Sequence, residues 1–150
     1  MRSLILFLLI NFSATLLLQA QLTVLTDNQR KGIDSLIADY SKARENSDTV
    51  LLKRILTKDV DQLVSTGEWR NGIDAAVQGM LKSSANSPGT RTLNIEKIKL
   101  LNAACALVDC RYEIKNPDGA IRKMWSTFIV VADNTTWKIA AIRNMLPAAQ

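Results

Sequence analysis

The sequence contains no histidine, only two cysteines, and aromatic residues make up only 5% of it. Histidine is the side chain whose ordinary pKa lies nearest neutrality, so without it proton transfer would need a carboxylate or phenol with a displaced pKa. Zinc sites are built mainly from histidine and clustered cysteine, so no metal is expected, and no cofactor motif is present. These absences exclude the commonest catalytic arrangements and favour binding over turnover.

Long runs of basic residues are also absent. The 19 Lys and Arg residues are interspersed with 14 Asp and Glu residues, giving a formal net charge of +5. A nucleic-acid-binding domain typically shows a basic stripe with interleaved aromatic residues. No nucleic-acid partner is therefore expected.

The first twenty residues have the pattern of a secretory signal peptide. Arg2 precedes an apolar stretch from Leu4 to Leu18, and the small residue Ala20 follows. The stretch is shorter than the roughly 20 residues that a membrane-spanning helix needs. The sequence predicts a signal peptide over residues 1–20, cleavage after Ala20, and one mature domain over residues 21–150. That domain would be periplasmic or secreted, with no stable membrane anchor.

The two cysteines are not expected to form a disulfide. Cys105 and Cys110 lie five residues apart on one predicted strand, so their side chains point to opposite faces. We expect two buried thiols.

Helical periodicity dominates the first half of the mature chain, and strand alternation dominates the second. Helices followed by an antiparallel meander indicate an α+β domain. The predicted helices run from a capping box at Thr26–Gln29 to about Asn46, from Ser47-Asp48 to about Lys58-Asp59, and from Ile73 through Leu81. The predicted strands span residues 60–66, 93–101, 104–115, 121–132 and 137–145.

Several segments together resemble the nuclear transport factor 2-like superfamily, in particular its SnoaL-like and SgcJ/EcaC-type domains. The resemblance implies a cone, in which a curved antiparallel sheet packs against three helices around a cavity. Members include isomerases, polyketide cyclases, dehydratases, non-enzymatic binders and dimerisation modules, so a homodimer is expected. The segments are Leu36-Ile-Ala-Asp-Tyr40, Asn46-Ser-Asp48, Lys58-Asp59-Val60, Gly67-Glu-Trp-Arg-Asn-Gly72 and Trp137-Lys-Ile-Ala-Ala-Ile-Arg-Asn144.

Ketosteroid isomerisation, the best-understood chemistry of this superfamily, can be mapped onto the sequence by the resemblance. The tyrosine that donates to the oxyanion falls on Tyr40, which makes Tyr40 the one catalytic candidate. The general base falls on Val64, and the second oxyanion acid falls near Ile129. Because neither of these side chains can exchange a proton, enolisation by this mechanism is not expected.

Four residues are candidates for ligand contact. Tyr40 and Arg143 would supply polar contacts, with Trp69 and Trp125 as pocket walls, whereas Trp137 is expected in the core. For Arg143 the alternative is a salt bridge or rim charge, and for the two pocket tryptophans it is the core.

Two functions remain open from sequence. The leading hypothesis is an exported domain that binds a small apolar or aromatic molecule, with cyclase- or isomerase-like turnover left undecided. The alternative is a homodimerisation or protein-interaction module whose cavity is filled by Met80, Met124 and Phe128.

The alternation of Asp109, Arg111 and Glu113 on one strand face also has two interpretations. It fits the solvent face of an antiparallel strand better than a polar cluster at the cavity mouth.

Overall fold

A computed structural model describes residues 24–147, which form three helices and six strands. The elements are, in chain order, α1 (Asp27–Glu45), α2 (Thr49–Ile55), β1 (Leu56–Leu63), β2 (Trp69–Asn71), α3 (Ile73–Asn86), β3 (Thr90–Asn102), β4 (Cys105–Lys115), β5 (Ile121–Asp133) and β6 (Thr136–Met145).

Helix α1 begins as the sequence predicts, with a complete capping box. The Thr26 hydroxyl accepts from the Gln29 amide at 3.3 Å, and the Gln29 side-chain oxygen accepts from the Thr26 amide at 3.0 Å. These two bonds satisfy amides that the first helical turn leaves without a backbone acceptor. The apolar stripe of α1 is buried, with Ile33, Ile37 and Tyr40 facing the sheet.

Helix α2 starts at the predicted place but ends earlier. The Asp48 carboxylate caps it by accepting from the Leu51 amide at 2.9 Å. The chain passes directly from Ile55 into β1, because Leu56 pairs with Ile139 of β6 and continues the sheet. The predicted helix end near Lys58-Asp59 is therefore wrong, and tertiary pairing is the reason.

The strands form one curved, open sheet in the order β2-β1-β6-β5-β4-β3. The predicted four-strand antiparallel meander, β3 to β6, is confirmed. Strand β1 pairs with β6 in parallel, so the sheet is mixed and not purely antiparallel. In this parallel pair, β6, the last strand of the meander, lies beside β1, the first strand in the chain, and runs in the same direction.

The three helices cover one face of the sheet, and the fold class α+β is confirmed. We call this covered side the inner face and the opposite side the outer face. Inward residues alternate with outward ones along each strand, so Phe128 and Val130 of β5 are fully buried while Ile129 between them is half-buried. Among residues 24–147, no helix is long and apolar enough to cross a membrane.

The two cysteines lie on opposite faces of β4, as predicted. Cys110 is buried on the inner face, as expected, whereas Cys105 is only half-buried on the outer face, so the expectation of two buried thiols is wrong for Cys105. Both thiols are free.

Candidate binding site at the mouth of the cone

The deep interior between helices and sheet is filled by side chains. Met80, Phe128 and Tyr40 are all buried there, and the rings of Tyr40 and Phe128 pack edge to face with centroids 5.3 Å apart. Met124 is buried nearer one end of the sheet, against Tyr112 and Ile114. An apolar ligand therefore has no space in the deep interior.

A small polar cavity of about 30 Å³ remains on the inner side, and it opens outward into a depression of about 270 Å³. The inner cavity holds about one water molecule, so it has room for one polar atom of a ligand and not for a whole ligand. We call the two together the mouth site. Both parts are lined by Val64, Ser65, Arg70, Ser83 and Arg122; the inner part adds Arg44, Gln62, Tyr112, Met124 and Asn144, and the outer part adds Thr66, Glu68, Gly79, Lys82, Asn86 and Ser87.

Arg44 places a buried positive charge at the inner end of the mouth site. It is only 5% exposed, and its guanidinium donates to the Tyr40 hydroxyl at 3.0 Å and to the Ser84 hydroxyl at 3.3 Å. Within the part of the chain that the structure describes, no carboxylate lies within 4.0 Å of it. The dipole of α1 offsets part of the charge, since Arg44 lies in the last turn. The rest of the charge is held by neutral oxygens.

Arg70 supplies a second buried guanidinium, from β2. Its Nε donates to Glu68 Oε1 at 2.9 Å, its Nη2 to Glu68 Oε2 at 3.4 Å, and its Nη1 to Gln62 Oε1 at 3.3 Å. A Cβ atom added at Gly79 would overlap this guanidinium. The absence of a side chain at Gly79 of α3 therefore makes the space that Arg70 occupies.

The mouth site is strongly cationic. Four of its lining residues are basic, namely Arg44, Arg70, Lys82 and Arg122, against the single carboxylate of Glu68. The hydrogen bond from Arg70, together with its positive charge, lowers the pKa of Glu68. Glu68 is therefore ionised at neutral pH, and the site still carries a net positive charge.

Tyr40 lies beside the site but is held as a neutral phenol. Burial raises the pKa of Tyr40, and the opposing effect of the nearby Arg44 is smaller. Tyr40 can thus donate or accept a hydrogen bond, while its proton stays in place at neutral pH.

The structure does not bring the four ligand candidates together. Tyr40 is on the inner face, whereas Trp69, Trp125 and Arg143 are on the outer face. Arg143 donates to both Asp61 carboxylate oxygens, at 2.9 and 3.0 Å, and its guanidinium stacks over the Trp69 ring at 4.7 Å. Arg143 therefore forms a salt bridge, which is the alternative to ligand contact considered from sequence.

A β-bulge explains the misplacement of Arg143. Strict alternation puts Arg143 on the same face as Trp137 and Ile139. In the structure Val130 pairs with Ile139 and Ile129 pairs with Ala141, so Ala140 is an extra residue and the alternation changes face.

The two other positions mapped from the ketosteroid isomerases, Val64 and Ile129, have no group in the structure that could transfer a proton. Val64 lines the mouth site, and it cannot act as a base there. Ile129 is on the outer face, and its inward neighbours Phe128 and Val130 are apolar as well. The outer-face interpretation of Asp109, Arg111 and Glu113 is confirmed, since Asp109 accepts from Thr127 at 2.6 Å and Arg111 pairs with Glu96 at 2.8 Å.

The residues that dominate the mouth site, Arg44, Arg70 and Gln62, were missed from sequence. Arg44 could have been found, because it follows Tyr40 by four residues and so continues the buried stripe of α1. Arg70 lies between the predicted strand over residues 60–66 and the predicted helix from Ile73, and its inward orientation depends on the pairing of β2 with β1.

Comparison of the whole domain with solved structures identifies its architecture. An NTF2-like protein of unknown function from Shewanella oneidensis superposes with a TM-score of 0.67 at 21% identity, over 77% of this chain and 98% of that one. A ketosteroid isomerase-like protein from Erwinia carotovora atroseptica gives 0.66 at 16% identity, over 83% and 100%. A domain of unknown function with a cystatin-like fold from Nostoc punctiforme gives 0.73 at 12% identity, over 83% and 80%.

These likenesses define the class: the chain has the nuclear transport factor 2-like fold, of the cystatin-like α+β type. The resemblance inferred from sequence is thereby confirmed at the level of the fold, and the finer SnoaL-like assignment stays a prediction. No protein-family model matches the chain, and no curated protein matches its sequence.

Proposed function

We propose that this domain binds a small organic anion at the mouth site and does not transform it. The observation that carries this proposal is Arg44, a guanidinium that is 5% exposed and contacts only neutral acceptors. A buried charge is costly unless an opposite charge compensates it. An anionic ligand would supply that compensation through charge-assisted hydrogen bonds.

The size and lining of the mouth site support a small polar ligand. The outer depression of about 270 Å³ lies just below the usual range for drug-sized ligands. Ser83 and Ser65 place hydroxyl groups along it, and Arg122 and Lys82 add positive charge at its edge. An apolar or aromatic group could occupy only the outer part, because Met80 and Phe128 fill the interior.

Turnover is less well supported than binding. Val64 stands where the ketosteroid isomerases have their base, and Tyr40 is a phenol whose pKa burial raises. The one carboxylate at the mouth, Glu68, is ionised and already engaged by Arg70. The pKa values of Tyr40 and Glu68 are therefore displaced away from neutrality, whereas general acid–base catalysis requires a pKa near the working pH.

Calorimetric titration with small carboxylates and inorganic phosphate, and with a neutral amide as control, tests the proposal. We expect the wild-type protein to bind an anion and Arg44→Gln to weaken binding about ten- to a hundredfold, the usual loss for one charge-assisted contact. Arg111→Gln is the matched control, because Arg111 pairs with Glu96 on the outer face. Absence of binding by any anion, or equal affinity in Arg44→Gln, would contradict the proposal.

A second candidate function, homodimerisation, is favoured by the outer face of the sheet. Trp69, Trp125 and Met145 are exposed there by 52%, 38% and 48%, and no helix among residues 24–147 covers this face. Charges of both signs surround them, including Asp61 and Arg143, so two copies could meet with complementary charges. The two candidates use opposite faces and are compatible.

Export is also a proposal. The predicted signal peptide and its cleavage position lie outside the described residues, and intact-mass measurement of secreted protein would test whether the mature chain begins at Gln21.

A further inference from the structure

The two side chains of the Arg70–Glu68 ion pair differ in how firmly the protein holds them. The Arg70 side chain is 10% exposed, whereas the Glu68 side chain is 57% exposed. Arg70 is held from a second side by Gln62, which is itself buried, and it lies against the backbone of α3 at Gly79. Glu68 can therefore leave the contact by rotating into solvent, whereas Arg70 is held in place.

The hairpin that carries Glu68 does not depend on this side chain for its shape. The Val64 amide donates to the Glu68 carbonyl at 2.9 Å, and the Gly67 amide donates to the Val64 carbonyl at 2.8 Å. Gly67 has a φ of 89°, which glycine adopts without strain. Rotation of the Glu68 side chain would leave these backbone bonds intact.

The Glu68 carboxylate shows which anion geometry the Arg70 guanidinium accepts. Both carboxylate oxygens are engaged, one by Nε at 2.9 Å and the other by Nη2 at 3.4 Å. This two-point arrangement is the usual one between a guanidinium and a planar carboxylate. Glu68 also lines the outer depression, so its carboxylate lies on the route into the mouth site.

We infer that Glu68 is an internal competitor for the ligand, and that the ligand is a small carboxylate. This inference rests on the proposed anion site and names its ligand class. The ligand's carboxylate takes the place of the Glu68 carboxylate on Arg70, and Glu68 rotates into solvent. Arg44 provides further positive charge at the inner end of the site. Only acids that outcompete the tethered carboxylate bind, so Glu68 sets the affinity threshold, and the two-point geometry of the Arg70 guanidinium sets the preference for carboxylates.

Replacement of Glu68 by glutamine tests this inference. We expect Glu68→Gln to lower the Kd for benzoate and for succinate about tenfold, because the competing charge is removed while the side-chain size is kept. Benzamide, the neutral counterpart of benzoate, should show no such gain. Glu113→Gln is the matched control, since Glu113 is on the outer face and lies 3.7 Å from Lys123. Because the Glu68 side chain is exposed, we expect Glu68→Gln to keep the fold, and circular dichroism checks this.

The outcomes separate this inference from the proposed function. If wild type binds benzoate and Glu68→Gln binds it equally well, the competitor role is overturned and the anion site stands. If neither protein binds any carboxylate or phosphate, the anion site itself is overturned. If Glu68→Gln gains affinity for inorganic phosphate alone, the assignment of the ligand as a carboxylate is overturned. Adding Arg70→Gln to Glu68→Gln should abolish the gain, because the contested group is then missing.

Discussion

Cys105 and Cys110 show how environment separates two residues of the same type on one strand. Cys110 is fully buried on the inner face, and burial, with a smaller contribution from the charge of Asp109, raises the pKa of its thiol to about 12. Cys105 is half-buried on the outer face. Because the thiolate is the reactive form, access and ionisation both disfavour reaction at Cys110.

Iodoacetamide labelling at pH 8 should therefore modify Cys105 and leave Cys110 unmodified in the native protein. Peptide mass spectrometry locates the label, and urea-unfolded protein, in which both thiols should react, provides the control. Equal labelling of both residues in native protein would show that Cys110 is accessible and that the inner face opens readily.

At the scale of single residues, the arginines separate what the sequence can predict from what it cannot. Arg44 and Arg143 both occupy amphipathic elements, and their spacing relative to apolar neighbours is the only sequence signal about their orientation. For Arg44 the helical period leads to the buried side. For Arg143, strand alternation predicts the wrong face of the sheet, because the bulge at Ala140 cannot be inferred from local composition.

Helix α3 illustrates a conflict between element stability and site construction. Glycine in the middle of a helix costs about 1 kcal/mol relative to alanine. Gly79 is at such a position, and its missing Cβ leaves the space occupied by the Arg70 guanidinium. Gly79 therefore lowers the stability of α3 and at the same time provides the space for Arg70 in the mouth site.

Substitution Gly79→Ala should therefore lower both stability and binding. Displacement of Arg70 breaks its buried contact with Gln62, at a cost of about 1–3 kcal/mol, and the gain of about 1 kcal/mol in helix propensity offsets only part of this. The free energy of unfolding should fall by up to about 2 kcal/mol, and carboxylate affinity should fall about tenfold. Thermal unfolding and calorimetric titration measure the two quantities. Gln78→Ala, an exposed change in the same helix, should alter neither by much. Unchanged affinity in Gly79→Ala would show that Arg70 does not contribute to binding.

The boundaries of the elements were less predictable than their existence. Local signals place the start of α1 and α2 well, because caps are short-range hydrogen bonds. The three-residue strand β2 was missed, since it is stabilised by pairing with β1 and not by its own sequence. The end of α2 was misplaced for the same reason.

For the whole molecule, the feature that predicts an assembly is the outer face, which no helix of residues 24–147 covers. Exposed Trp125 pairs across strands with exposed Met145, so two large apolar side chains lie side by side on β5 and β6. Large exposed apolar patches on soluble domains usually mark interaction sites. A second copy of the chain is the partner we propose.

Sedimentation should accordingly show a dimer for wild type and a monomer for Trp125→Glu, because a charge would then be buried at the centre of the interface. Val50→Glu changes an equally apolar but more exposed residue, 77% exposed on α2, and should leave the dimer intact. A monomeric wild-type protein at micromolar concentration would exclude this interface.

The sequence by itself determined the order of the helices and strands apart from β2, the antiparallel meander, the α+β class and the separation of the two cysteines. These properties follow from periodicity, caps and turns, which act over a few residues. Only the tertiary structure decided that Arg44 and Arg70 meet at one mouth site and that Trp69, Trp125 and Arg143 lie on the outer face. Those outcomes depend on strand pairing between distant segments and on a bulge, neither of which is encoded in the local pattern.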